Sequence, residues 1–202
     1  DRIGTTLCLS WACWIGNFSD GPKKNPREMN GVEHGEFEEL FLKITYHRMC
    51  DMYWPKLKIA LEGVEREILW REPYPAGNTL GGIVLHVCEH IARSCLRLQN
   101  LERQLKPGFE NYFPANGQTA EELLALFEAQ LDDWKLLMMK YLSREQALEQ
   151  EQVHQLYHLA EHTGYHLGQV LDRVQAATGR KFAFTRNGLN EASLREKIDA
   201  KA

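Results

Sequence analysis

The sequence predicts an all-α protein, a four-helix bundle with a kinked first helix and a short C-terminal tail helix. Apolar residues recur at helical spacing over four long stretches. The connections between them are short and carry proline, glycine and asparagine. No alternation of apolar and polar residues is long enough for a sheet. Helices with apolar stripes must bury them on one another, and four such helices make a bundle.

The first helical pattern begins at Phe37 and runs through Leu40, Phe41, Ile44, Tyr46 and Met49, then Leu57, Ala60, Leu61, Val64 and Ile68. Pro55 lies inside it, and a proline ring removes one amide donor and clashes with the carbonyl four residues back. A break near Tyr53 and Trp54 is therefore expected. Residues 71–78, with two prolines and a glycine, read as a loop. The second helix is expected from about residue 79 to 105. After a loop over 106–118, Thr119 followed three residues later by Glu122 forms a capping box that starts the third helix, continued by Leu123, Leu124, Phe127, Leu131, Trp134 and Leu137. The fourth helix runs from near Gln150 to a stop at Gly179, and the tail helix covers about 191–199.

Three regions follow: an N-terminal extension over 1–30, a helical core over 31–180, and a C-terminal tail over 181–202. Residues 1–28 show neither helical nor strand period, although they hold Cys8, Cys13, Trp11 and Trp14, and end in a polar stretch that reads as a linker before Met29. The apolar run over residues 5–15 has little flanking positive charge and no clear cleavage site, which argues against a signal peptide.

The 202 residues carry 24 Lys+Arg against 28 Asp+Glu, a net charge of -4, so no basic field is available to hold a phosphate backbone and nucleic acid is not an expected partner. No apolar run approaches the roughly 20 residues of a membrane span, and no membrane association is expected. Five cysteines lack the density of a disulfide scaffold and read as reduced thiols of a cytoplasmic protein. Cys88 and Cys95 fall on the apolar side of the second helix and read as small core residues. Trp54, Trp70 and Trp134 read as core or loop anchors.

Eight histidines stand out. His154, His158, His162 and His166 follow one another at intervals of four on the fourth helix. At about 100° per residue each such step drifts by about 40°, so neighbours can grip one ion while all four cannot. The second helix supplies His86 and His90 at the same spacing, with Arg93 and Arg97 within roughly 60° of the same arc. Neutral imidazole suits zinc, nickel and iron, and catalytic sites commonly keep three protein ligands and one open position. Two histidines from one helix and one from another fit that count. The plainer alternative is a set of solvated helix residues. It is favoured by the placement of both histidine faces about 120–160° from the most apolar stripe, towards solvent or a polar cleft.

The stretch Asn78-Thr79-Leu80-Gly81-Gly82-Ile83-Val84-Leu85-His86 and the later His162-Thr163-Gly164-Tyr165-His166-Leu167-Gly168-Gln169 resemble two motifs of the DinB/YfiT-like superfamily of metal-dependent enzymes. Thr79 and Leu80 stand where that family usually has Ser and Ile. The segment over 53–78 also resembles its first helix and loop, so the resemblance covers about residues 37–179. It implies a four-helix bundle with a divalent ion, Zn, Ni or Fe, held by His86, His162 and His166 in a cleft between helices. It also implies that the catalytic nucleophile is a water or thiolate on the ion, that Gln169 orients a ligand or the water, and that the chain pairs as a homodimer. His90, His154 and His158 match no ligand position. They read as solvated or outer residues, His158 being nearest His162 in helical angle.

Within that family a thiol-dependent S-transferase or related transferase acting on a small molecule is the expected activity. A low-molecular-weight thiol is then the cosubstrate, and Arg93 and Arg97 are candidates to hold its carboxylate. Metal-dependent hydrolysis is the alternative chemistry, and a non-catalytic metal- or partner-binding bundle the alternative class. His86 to His90 and His158 to His162 also spell H-x-x-E-H, the inverted zinc-protease pattern. Two copies in Leu- and Ala-rich helices weaken it. A di-iron carboxylate bundle needs paired E-x-x-H motifs, and only Glu151 to His154 supplies one on a clear helix.

Overall fold

The computed structural model describes residues 34–102, 105 and 107–200, and these residues form helices and loops with no strand. The extension expected over 1–30 and its linker lie outside the described residues. Helix α1 spans His34–His47 and passes into a wide π-helical turn, Arg48–Tyr53, before α2, Trp54–Leu61. A short α3, Arg66–Trp70, precedes α4, Leu80–Leu98; α5 covers Ala120–Leu142, α6 Gln150–Thr178 and α7 Glu191–Asp199. None of the described helices is long and apolar enough to cross a membrane.

The expected break near Tyr53 takes the form of the π turn. Pro55, in the first turn of α2, cannot bond back to the preceding turn, and the wider ladder absorbs the missing donor. Arg48 in this turn makes a bidentate pair with Glu191, both contacts at 3.1 Å, and Lys197 reaches Asp51 at 2.9 Å, so the tail helix is tied to the turn.

Two helix ends differ from the expectation. The pattern from Leu57 to Ile68 is not one helix: α2 stops at Leu61, and Gly63 takes a left-handed φ of 69° before α3 begins. The second helix was expected to reach 105, but α4 ends at Leu98. Asn100 adopts φ 57°, its amide bonds Arg97 O at 3.0 Å, and the Leu101 amide bonds Leu96 O at 2.8 Å. Those paired bonds satisfy the last carbonyls with asparagine in place of glycine. The starts agree with the sequence. Thr79 accepts from the Gly82 amide at 3.1 Å, and Thr119 and Glu122 exchange the two bonds of the capping box. Helix α6 ends at the expected Gly179.

Helix α4 is the central element. It packs on both α5 and α6, and fifteen of its nineteen residues are buried, so its polar stripe lies inside the protein as its apolar stripe does. Against α5 the core is large and aromatic: Trp54 stacks on Phe127 at 5.2 Å, and fully buried Trp134 donates its indole N–H to Ser94 Oγ at 3.2 Å. Trp70 anchors the 107–118 loop by donating to Gln118 O at 2.8 Å. Its ring occupies the space beside Gly81, where a Cβ would lie 2.5–2.7 Å from the indole carbons. A second close approach sets α6 against the π turn: a Cβ on Gly164 would lie 3.0 Å from the Tyr53 hydroxyl. Gly164 sits between His162 and His166, so this contact holds the histidine segment of α6 against the start of the chain's helical core.

Candidate metal centre

Four imidazoles meet where the polar stripe of α4 faces that of α6. His86 and His90 come from α4, His162 and His166 from α6. Exposure of His86, His90 and His166 is only 1%, 4% and 5%, so of the two settings expected for these faces, solvent or a polar cleft, they do not take the first. Helical angle alone assigns a polar stripe to the surface; a helix covered on several sides carries it inside.

The tautomers of two rings follow from their partners. His86 Nδ1 lies 3.1 Å from Tyr112 O, a carbonyl that only accepts, so this nitrogen carries the proton. His166 Nδ1 lies 2.9 Å from Gln169 Oε1, while the Gln169 amide nitrogen donates to the Tyr165 hydroxyl at 3.0 Å, so Nδ1 is again the donor. In the neutral imidazole the Nε2 lone pairs of His86 and His166 are then free, and both aim at His162 Nε2, at 2.9 and 3.0 Å. A proton on His162 Nε2 satisfies one of these lone pairs and leaves the other facing nitrogen. A single cation among the three satisfies all of them. Tetrahedral coordination with bonds of about 2.0–2.1 Å spaces nitrogens roughly 3.3 Å apart, close to both of these contacts.

Burial favours the ligand form. It lowers the His86 and His166 imidazoles from their usual range, with the His166 charge adding to the effect on His86, and takes His162 to about 4 and His90 to about 2. The cysteines offer no competing nucleophile among the described residues, since burial pushes the Cys50, Cys88 and Cys95 thiols up to about 12.

The loop after α4 roofs the site with aromatic rings. Phe113 stacks on His86 at 4.2 Å between centroids, and Phe109 meets His90 edge-on at 4.8 Å. Outside this roof is an open cleft of about 330 Å³ bordered by His86, His90 and His162, with Arg97, Glu110, His154 and His158 around it. His158 is half-buried, 5.2 Å from His162 and 5.6 Å from His90 between centroids, and His154 is exposed. Arg97, half-buried, faces this cleft. Arg93 does not share its role: its guanidinium lies 3.7 Å over the Phe109 ring, pairs with Glu89 at 3.6 Å and borders a separate depression of about 550 Å³. The two arginines expected to act together are thus divided by Phe109.

Of the three expected ligands, His162 Nε2 contacts the Nε2 of both His86 and His166, and Gln169 lies behind His166. His90 departs from its reading as a solvated or outer residue: a ring nitrogen of His86, of His90 and of His162 all lie within 4.8 Å of one another. No carboxylate joins this cluster among the described residues; Glu89 is turned to Arg93 and Glu161 is exposed, which leaves neither H-x-x-E-H match its general base. The sequence reading missed Tyr112, Phe109 and Phe113. Three aromatic residues within five positions of a loop, Phe109-Glu110-Asn111-Tyr112-Phe113, were the available signal. Comparison with known proteins returns no match to a family model, a curated protein or a solved structure.

Proposed function

We propose that the chain is a metal-dependent enzyme of the DinB/YfiT-like kind, a four-helix bundle whose divalent ion is held by His86, His162 and His166. The activity proposed is transfer of a low-molecular-weight thiol to a small electrophile. One observation carries the metal reading: two imidazoles with proton-bearing Nδ1 atoms aim their Nε2 lone pairs at a third Nε2, 2.9 and 3.0 Å away. Imidazole ligands suit zinc, nickel or iron. Such an ion supplies Lewis acidity, lowering the pKa of a thiol or water that joins it.

The chain's own residues do the rest. Tyr112 O and Gln169 Oε1 hold the two rings in the ligating tautomer. Phe109 and Phe113 keep water from the inner side of the histidines. Arg97, at the edge of the cleft, offers its guanidinium to the carboxylate of the cosubstrate. A cytoplasmic setting, which keeps thiols reduced, and pairing as a homodimer belong to the same reading.

Metal analysis of protein purified without an affinity tag tests the first half, with one equivalent of a transition metal expected. Addition of common cellular thiols to the cobalt-loaded protein tests the second, with a shift of the visible spectrum expected. Metal without any thiol response moves the reading to hydrolysis, examined on ester, amide and phosphoester panels. Inactivity there as well moves it to a non-catalytic bundle.

A further inference from the structure

His90 has no task in the three-histidine reading, yet its position is unusual for a spare residue. It is 4% exposed, and its ring centre lies 3.9 Å from that of His162 and 4.7 Å from that of His86. No hydrogen bond to another described residue holds its ring, which borders the open cleft. Its neighbours are ring edges and faces: Phe109 on one side, His162 and His158 on the other. One of its nitrogens lies within 4.8 Å of ligand nitrogens of both His86 and His162.

We propose that His90 is a fourth ligand of the resting centre, occupying the position that three histidines leave open. The proposal rests on the metal reading above. Its geometry is that of a second triad, His86, His90 and His162, sharing the His86–His162 edge with the first. An ion on that edge draws the His90 ring in by a rotation about its side chain and gives one of its nitrogens a ligand bond. His90 also differs from His86 and His166 in having no hydrogen bond to fix its ring, which makes it the more readily displaced when substrate arrives from the cleft. A site closed at rest and opened by substrate reconciles four imidazoles with catalysis, which needs a vacancy.

The test is cobalt(II) titration of tag-free wild-type and His90→Ala protein, read by visible absorption, with azide as the added ligand. Wild-type protein is expected to bind one cobalt and to respond weakly to azide. His90→Ala is expected to bind cobalt at least ~10-fold more weakly and to show a clear azide shift at lower concentration. Equal affinity and equal azide response in the two proteins overturn the proposal. A measurement without a variant keeps it testable: in wild type loaded with cadmium-113 and labelled with nitrogen-15 histidine, coupling of the metal to four ring nitrogens supports it and coupling to three overturns it. Failure of the wild type to take up cobalt or cadmium would sink the metal reading itself. One bound equivalent with three coupled nitrogens sinks the role of His90 alone.

Discussion

Gln169 accepts the Nδ1 proton of His166 at 2.9 Å across one turn of α6, and so decides which nitrogen of that ring faces the other histidines. Loss of such an outer partner lowers metal affinity by about 10–100-fold in known sites. Gln169→Leu is expected to do the same while leaving the melting temperature of the metal-free protein nearly unchanged, because the side chain is only half-buried. Competition against a chelator of known affinity measures it, and equal affinity in both proteins counts against the assigned tautomer.

Substitution of the ligands separates them from their neighbours on the same helix. His86→Ala, His162→Ala and His166→Ala are each expected to lose stoichiometric metal, whereas His154→Ala, at an exposed position, keeps it. Atomic absorption on tag-free samples reads the outcome, and retention of one equivalent in all three inner variants removes the centre from this place.

The clustering of the histidines was legible in the sequence, and the depth of their burial was not. Histidines at intervals of four announce a shared face, and the capping box at Thr119 and the stop at Gly179 locate two helices closely. The burial of that face is a tertiary effect, since α4 is covered by both α5 and α6. The true end of α4 had a local signal in Asn100, whose side chain tolerates the left-handed conformation usually left to glycine. Periodicity alone ran past it to Leu105. Tyr112 acts through its carbonyl, which no side-chain pattern encodes.

The two arginines are expected to behave differently. Arg97→Gln, on the histidine cleft, should weaken binding of a carboxylate-bearing thiol to the cobalt-loaded protein by about tenfold or more, at constant metal content. Arg93→Gln, on the far side of Phe109, should change thiol binding little and stability more, since it removes the cation stacked on that ring. Thiol titrations by visible absorption, paired with thermal melts, distinguish the two, and the reverse pattern rejects Arg97 as an anchor.

Gly81→Ala places a methyl group within 2.7 Å of the Trp70 indole. Overpacking of this kind costs about 1–3 kcal/mol. It should also displace Trp70 from the Gln118 carbonyl, which loosens the loop that carries Tyr112 and Phe113. A lower melting temperature together with a red-shifted tryptophan emission is expected; an unchanged melt shows that the indole has room to move.

The metal-free protein should lose stability in mild acid. Burial holds all four inner imidazoles below their usual range, His162 at about 4 and His90 at about 2, while unfolding restores them to about 6.5. Below about 6.5 the unfolded chain therefore binds more protons than the folded one, so stability falls as pH drops, continuing towards the folded-state values. Above about pH 7 these groups add no slope. Urea midpoints measured with chelator present should be lower at pH 5.5 than at 7.5. Equal midpoints contradict the burial of the cluster.

The wide turn over Arg48–Tyr53 makes the width of the hydrogen-bond ladder, more than residue identity, the quantity that sets the phase of the first third of the helical core. A π-helical segment accommodates roughly one residue beyond the α-helix it interrupts. Closing the same six residues as ordinary α-helix, with none removed, would re-phase everything before them by roughly 100°. Fully buried Leu42 would swing away from its neighbours, and Arg48 would no longer meet Glu191. Single replacements in the turn leave this phase intact. The seat of Tyr53 on Gly164, and through it the placing of His162 and His166, is thus inherited from an insertion-like feature that looks, at the level of composition, like nothing more than six ordinary residues before a proline.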